Sequence, residues 1–146
     1  MGVLGHDMSV NRREFQNLSR IRLREAGALA KLGMHDGAYY LAGYSVECAL
    51  KACIAKATLR HDSPDKKRAD LSYTHNLRGL LGVAGLEKEW LDPIKRDLNF
   101  REKWDIVLLW SESSSYITTD AEIALDLIEA VGNRTHGVLR WIKLHW

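Results

Sequence analysis

Gly37-Ala-Tyr-Tyr-Leu-Ala-Gly-Tyr-Ser-Val-Glu-Cys-Ala-Leu-Lys-Ala-Cys-Ile-Ala-Lys-Ala57 decides the fold class. It is apolar on almost every side, and a helix of that kind is a buried one. Yet it carries Glu47 and Lys51 one helical turn apart. A buried charge without a partner costs several kcal/mol, so the pair requires further contacts. Asp36 is placed to cap this helix, which is expected to run from there to about Leu59.

Outward from this segment the pattern stays helical. Phe15, Leu18, Ile21, Ala26, Leu29 and Leu32 recur at three- and four-residue spacing, predicting a first helix over Asn11–Leu32 with Gly33 as its cap. Downstream, the loop RHDSPDKKRAD is charged, contains Pro64, and reads as exposed and mobile. YTHNLRGLLGVAG predicts a short helix capped by Thr74 or Asn76 and stopped by Gly82 or Gly85. LEKEWLDPIKRDLNFREKWDIVLLW predicts a third long helical region, with Pro93 in the first turn after a break. In SESSSYITTD, Thr119 and Glu122 form a capping box for a last helix running from Asp120 to the end of the sequence. No strand alternation or hairpin turn signal interrupts this series. The expected fold is all-α, an up-and-down bundle of four to five helices, with a flexible stretch at 1–10 and a single domain over 11–146.

Composition excludes several classes. The sequence has 146 residues, 46% apolar and 27% charged, an ordinary globular balance. A formal charge of +2 gives no general attraction for nucleic acid. No apolar run is long enough to span a bilayer, and the first residues lack a secretion pattern, so a cytoplasmic protein without membrane contact is expected. Cys48 and Cys53 project about 140° apart on one helix and read as buried free thiols. No histidine pair has metal-ligand spacing, and the HExxH, P-loop and GxGxxG signatures are absent. Neither metal nor cofactor is expected. Trp141 and Trp146 are candidates for a dimer face.

Polar chemistry concentrates on the buried helix. With Tyr40 at zero on a helical wheel, Tyr44 falls at about 40°, Glu47 at about 340° and Lys51 at about 20°. The four share one stripe, and Arg22 on the first helix falls between Phe15 and Leu29, where it can supply a second cation. One reading is structural: Arg22 and the tyrosine hydroxyls satisfy a buried ion pair. The other is a ligand site, in which the tyrosines stack a base and Lys51 meets a phosphate.

These residues carry a resemblance to the HEPN family of helical domains. The family pattern has a helix ending at a small residue and Gly, then an aromatic-rich helix with Glu-x-x-x-Lys. Gly33-Met34-His35-Asp36-Gly37-Ala38-Tyr39-Tyr40 followed by Val46-Glu47-Cys48-Ala49-Leu50-Lys51-Ala52 is similar to it. His75-Asn76-Leu77-Arg78-Gly79-Leu80 resembles a second family element, and the stretch from Trp110-Ser111 to Tyr116 a third. The resemblance covers about Phe15 to Val138. It implies a homodimeric helical bundle that binds a nucleotide or RNA. It further implies a nucleotidyltransferase-type partner, in a toxin–antitoxin-like system.

Ribonuclease members of that family carry an Arg followed four to six residues later by His, near the loop entering the last helix. The His moves a proton at neutral pH and the Arg steadies charge on the transition state. Here that loop, SESSSYITTD, contains neither, and Ser115-Tyr116 stands where many members have Arg-Tyr. Non-catalytic binding is therefore the expected activity. Arg140 and His145 match the count elsewhere, although Trp141 replaces the usual polar residue, and they define the alternative of a metal-independent ribonuclease toxin. Arg68 and His75, with six residues between them, also fit by count, although Arg68 lies in the charged loop and His75 fits the helix-start element better. A third alternative is a purely structural, protein-interaction bundle.

Overall fold

The computed structural model describes residues 12–60, 74–116 and 118–146. The expected flexible stretch at 1–10 and the charged loop with Arg68 lie outside the described residues. Among those described there are seven α-helices and no strand. In chain order they are α1 (Arg12–Lys31), α2 (His35–Arg60), α3 (Leu77–Val83), α4 (Glu87–Arg96), α5 (Leu98–Leu108), α6 (Ala121–Gly132) and α7 (Val138–Lys143), with a 3-10 turn at Glu112–Tyr116 before α6. The all-α expectation holds.

α1 and α2 form a helical hairpin. Gly33 closes α1 at φ +78°, a left-handed conformation that glycine adopts without strain. Gly33 N donates to Ala30 O at 3.1 Å and Met34 N to Leu29 O at 2.9 Å, satisfying the carbonyls at the helix end. Small residues let the two helices approach closely. Ser19 Oγ donates to Ser45 O at 2.8 Å and Ser45 Oγ to Ser19 O at 2.7 Å, a reciprocal clasp buried from solvent.

α2 is the central helix, and α1, α3, α6, α7 and the 3-10 turn all pack against it. Ala42, Val46, Ala49, Leu50, Ala52, Cys53, Ile54 and Ala55 are buried along it, as the all-round apolar sequence requires. Within the same core, Trp90, Phe100, Trp104 and Trp141 meet edge to face at 5.7–6.2 Å. Cys48 and Cys53 are free and buried, and burial pushes both thiols up to about 12. No helix among the described residues is long and apolar enough to cross a membrane.

Four local expectations are corrected. Asp36 lies within the first turn of α2, and its Oδ1 accepts from Thr119 N, tying the start of α2 to the approach to α6. Thr119 is thereby taken from its capping role, and Asp120 caps α6 by accepting from Ile123 N at 2.9 Å. Pro93 sits inside α4 and the break follows it: Asp97 adopts an extended backbone and accepts from Phe100 N at 3.2 Å, starting α5. The last helix is not continuous. Asn133 Oδ1 accepts from Thr135 N and His136 N at 2.9 and 2.8 Å, folding a turn that separates α6 from α7. Of the proposed caps for α3, Asn76 accepts from Gly79 N at 2.8 Å, and Gly85 at φ +75° ends the turn after it.

Trp146 does not present an exposed aromatic. It is buried against α1, where Arg12 and Gln16 donate to its O atom and the Arg20 guanidinium lies 4.8 Å from its ring centre.

Candidate functional site

Tyr40, Tyr44, Glu47 and Lys51 project from successive turns of α2, in the order their spacing dictates. Glu47 is 1% exposed. Its Oε2 accepts from Lys51 Nζ at 3.1 Å and from His75 Nδ1 at 2.9 Å. The donor at Nδ1 is assigned from this geometry. Glu47 Oε1 is buried without a hydrogen-bond partner among the described residues, leaving one acceptor for a further donor.

His75, immediately before the Asn76 cap of α3, is the outlet of this network. Its Nε2 lies 3.5 Å from Glu112 Oε2, and the side chain is 41% exposed. A buried carboxylate, an imidazole and a surface carboxylate therefore form a continuous polar path from core to solvent. Lys51 reaches solvent much less, its side chain being 15% exposed. Its charge is balanced by Glu47 before any ligand arrives, which weakens the case for a phosphate there.

The aromatic wall is larger than the sequence stripe. Tyr40 packs against Tyr44 at 6.0 Å between ring centres and against Trp110 at 5.9 Å. Trp110 lies flat over Gly43: a Cβ at that position would sit 2.2 Å from two of its ring carbons. Gly43 thus lets an indole occupy the place of a side chain on α2. Beyond it, Tyr116 is 91% exposed in the 3-10 turn. Burial, then the charges of Glu47 and Glu112, hold the Tyr40 hydroxyl above its usual range. Burial also raises Tyr44, with Cys48 and Glu47 adding to the effect and Arg22 opposing it. Both phenols therefore remain hydrogen-bond donors at neutral pH.

No protein-family model matches the chain, and neither a curated protein nor a solved structure does.

The structure brings Tyr40, Tyr44, Glu47 and Lys51 together and places Arg22 at their margin. Arg22 Nη1 bonds Glu25 at 2.6 Å on its own helix, and His75 stands where Arg22 was expected to meet Glu47. Arg140 is exposed on α7 and faces a separate cleft. His145 packs on Trp141 at 4.6 Å between ring centres, and burial lowers its pKa. No hydrogen bond or ion pair joins Arg140 to His145 or leads from either to the Glu47 network among the described residues. No group of three or more His, Cys, Asp or Glu among them has the geometry to hold a metal ion.

Glu112, Trp110 and Gly43 are the residues that reading the stripe alone missed. Trp110 and His75 each lay in a family-like element, which was the available signal. Glu112 lay inside the Trp110–Tyr116 element too, but its role and that of Gly43 depend on contacts across 37 and 67 positions of sequence, which no local pattern shows.

Proposed function

We propose that this chain is a HEPN-like helical domain that binds a nucleotide or a short RNA segment, without cutting it, on the face formed by Tyr40, Tyr44, Lys51, His75 and Tyr116. It acts in the cytoplasm as a homodimer with a nucleotidyltransferase-type partner, in a two-component system of toxin–antitoxin type. The observation that supports the ligand face is the adjacency of an aromatic wall, ending in the exposed Tyr116, to the Glu47–His75–Glu112 path that reaches solvent at His75. Base rings stack on tyrosine faces regardless of sequence. A carboxylate such as Glu112 accepts from ring or exocyclic N–H groups, and His75 Nε2 serves the same edge. Two carboxylates against one lysine and one imidazole favour a base edge over a bare phosphate here. The loop from Ser111 to Asp120 holds neither the arginine nor the histidine that cutting requires in the family.

A second reading has its own support. Glu47 is almost wholly buried and Lys51 is committed to it, as in a network retained for packing alone. Titration with a fluorescent mant-nucleotide separates the two. Saturable binding by the wild type, weakened in Tyr116→Ala, is the expected result. Tyr116 is so exposed that its loss costs no folding stability. Absence of saturable binding, or equal affinity in Tyr116→Ala and Lys51→Met, leaves the structural reading.

A further inference from the structure

A separate cleft of about 170 Å³ opens where α4, α5 and the turn before α7 meet. Pro93, Phe100 and Trp141 give it apolar and aromatic walls, and Asp97, His136 and Arg140 give it polar groups. We propose that this cleft binds a single unpaired nucleobase, guanine by the chemistry of its edges. The inference goes beyond the Tyr40–Lys51 face and stands on different residues.

Size is the first argument. Sites for drug-sized ligands run to roughly 300–1,000 Å³, so this one suits one ring system rather than a whole nucleotide. Phe100 and Trp141 meet at 5.9 Å and 63°, an edge contact that fixes the orientation of the wall. Trp141 is only half-buried, which leaves surface for a base to cover.

Polarity is the second. Arg140 is exposed and makes no ion pair among the described residues, so its N–H fork is uncommitted. Asp97 Oδ1 accepts from Phe100 N, while Oδ2 lies 3.6 Å from His136 Nε2, too far for a strong hydrogen bond. A donor fork and an acceptor therefore face one small space. Inorganic phosphate would satisfy Arg140 but meet the Asp97 charge. Guanine offers O6 and N7 acceptors to an arginine fork and N–H donors on the adjoining edge to a carboxylate. Adenine lacks O6 and cannot engage the fork in the same way.

Rigidity is the third. Asn133 holds the turn through Thr135 N and His136 N, and a Cβ on Gly137 would lie 2.3 Å from Asn133 O. The turn that carries His136 to the cleft is tightly closed, so its backbone is preset before a ligand arrives, while the Arg140 side chain is free to swing onto one.

The test follows the indole N–H signals of Trp141 and Trp110 in the ¹⁵N-labelled full chain during titration with guanosine, adenosine and inorganic phosphate. A saturable shift at Trp141 with guanosine is expected, with adenosine at least about ten-fold weaker and phosphate silent. Arg140→Ala, at an exposed position, should weaken guanosine by roughly ten- to hundred-fold. Absence of a guanosine shift at Trp141, an equal response to phosphate, or unchanged affinity in Arg140→Ala overturns the proposal. A shift confined to Trp110 overturns it too, and leaves the Tyr40–Lys51 reading standing.

Discussion

Gly43→Ala places one methyl group where the Trp110 indole now lies. The new Cβ would be 2.2 Å from ring carbons Cδ2 and Cε2 and 2.3 Å from Cδ1, against a normal carbon–carbon contact of about 3.5–4.0 Å. The ring must retreat by roughly 1.3 Å or more, since the helix backbone cannot. Trp110 is 3% exposed, so retreat uncovers it. An aromatic side chain buries about 150–250 Å², which at about 25 cal/mol per Å² is roughly 4–6 kcal/mol if fully lost. Losing about half gives 2–3 kcal/mol, and overpacking strain adds about 1 kcal/mol or more. Against this, alanine improves helix propensity by about 1 kcal/mol. A net loss of about 2–3 kcal/mol is expected, a fall in melting temperature of roughly 6–10 °C for a chain of this size. Urea and thermal unfolding followed by near-ultraviolet circular dichroism measure it. In a Trp110→Ala background the same glycine change should become neutral or stabilising by up to about 1 kcal/mol. A wild-type-like or more stable Gly43→Ala single variant would refute the placement of Trp110 on α2.

Glu47→Gln should destabilise by about 3 kcal/mol, the lower end for a broken buried pair because Lys51 can still extend toward water. Adding Lys51→Met should recover most of that loss in urea unfolding, and additive losses would mean the two do not interact. The Cys48 and Cys53 thiols, held at about 12 by burial against a usual value near 9, keep their protons longer folded than unfolded. Their contribution is complete below about pH 9 and is lost as pH rises toward 12, so the melting temperature should fall across that window. A flat profile would contradict their burial. Asp120→Ala should cost about 1 kcal/mol by removing the cap on Ile123 N, and Thr119→Ala much less; the reverse order would restore the Thr119 capping box.

The fold was legible where one periodicity dominates. The all-round apolar α2 and the Gly33 stop required no tertiary information, whereas the α1 stripe located that helix but not its buried face: Ser19 and Ala26 are buried, and Ile21 and Leu32 are exposed. At two of the misread ends two local residues compete, and a single hydrogen bond that periodicity does not show decides between them. Thr119 and Asp120 both suit an N-cap, and Asp36 takes the Thr119 amide. Pro93 and Asp97 both signal a break, and Asp97 brings an acceptor for the next helix. The site was legible along α2 because i, i+4 and i+7 positions align by geometry alone. Its completion was not. Arg22 and His75 were both available donors, and only the packing of α3 against α2 brings His75 rather than Arg22 to Glu47.

Photo-crosslinking tests the ligand face most directly. A short single-stranded RNA carrying 4-thiouridine is irradiated with the full chain, and the crosslinked residues are mapped by mass spectrometry. Crosslinks at Tyr40 or within Trp110–Tyr116, suppressed by unlabelled RNA and reduced in Tyr116→Ala, are the expected result. Absence of competable crosslinks in both segments would contradict ligand binding at the Tyr40–Lys51 face.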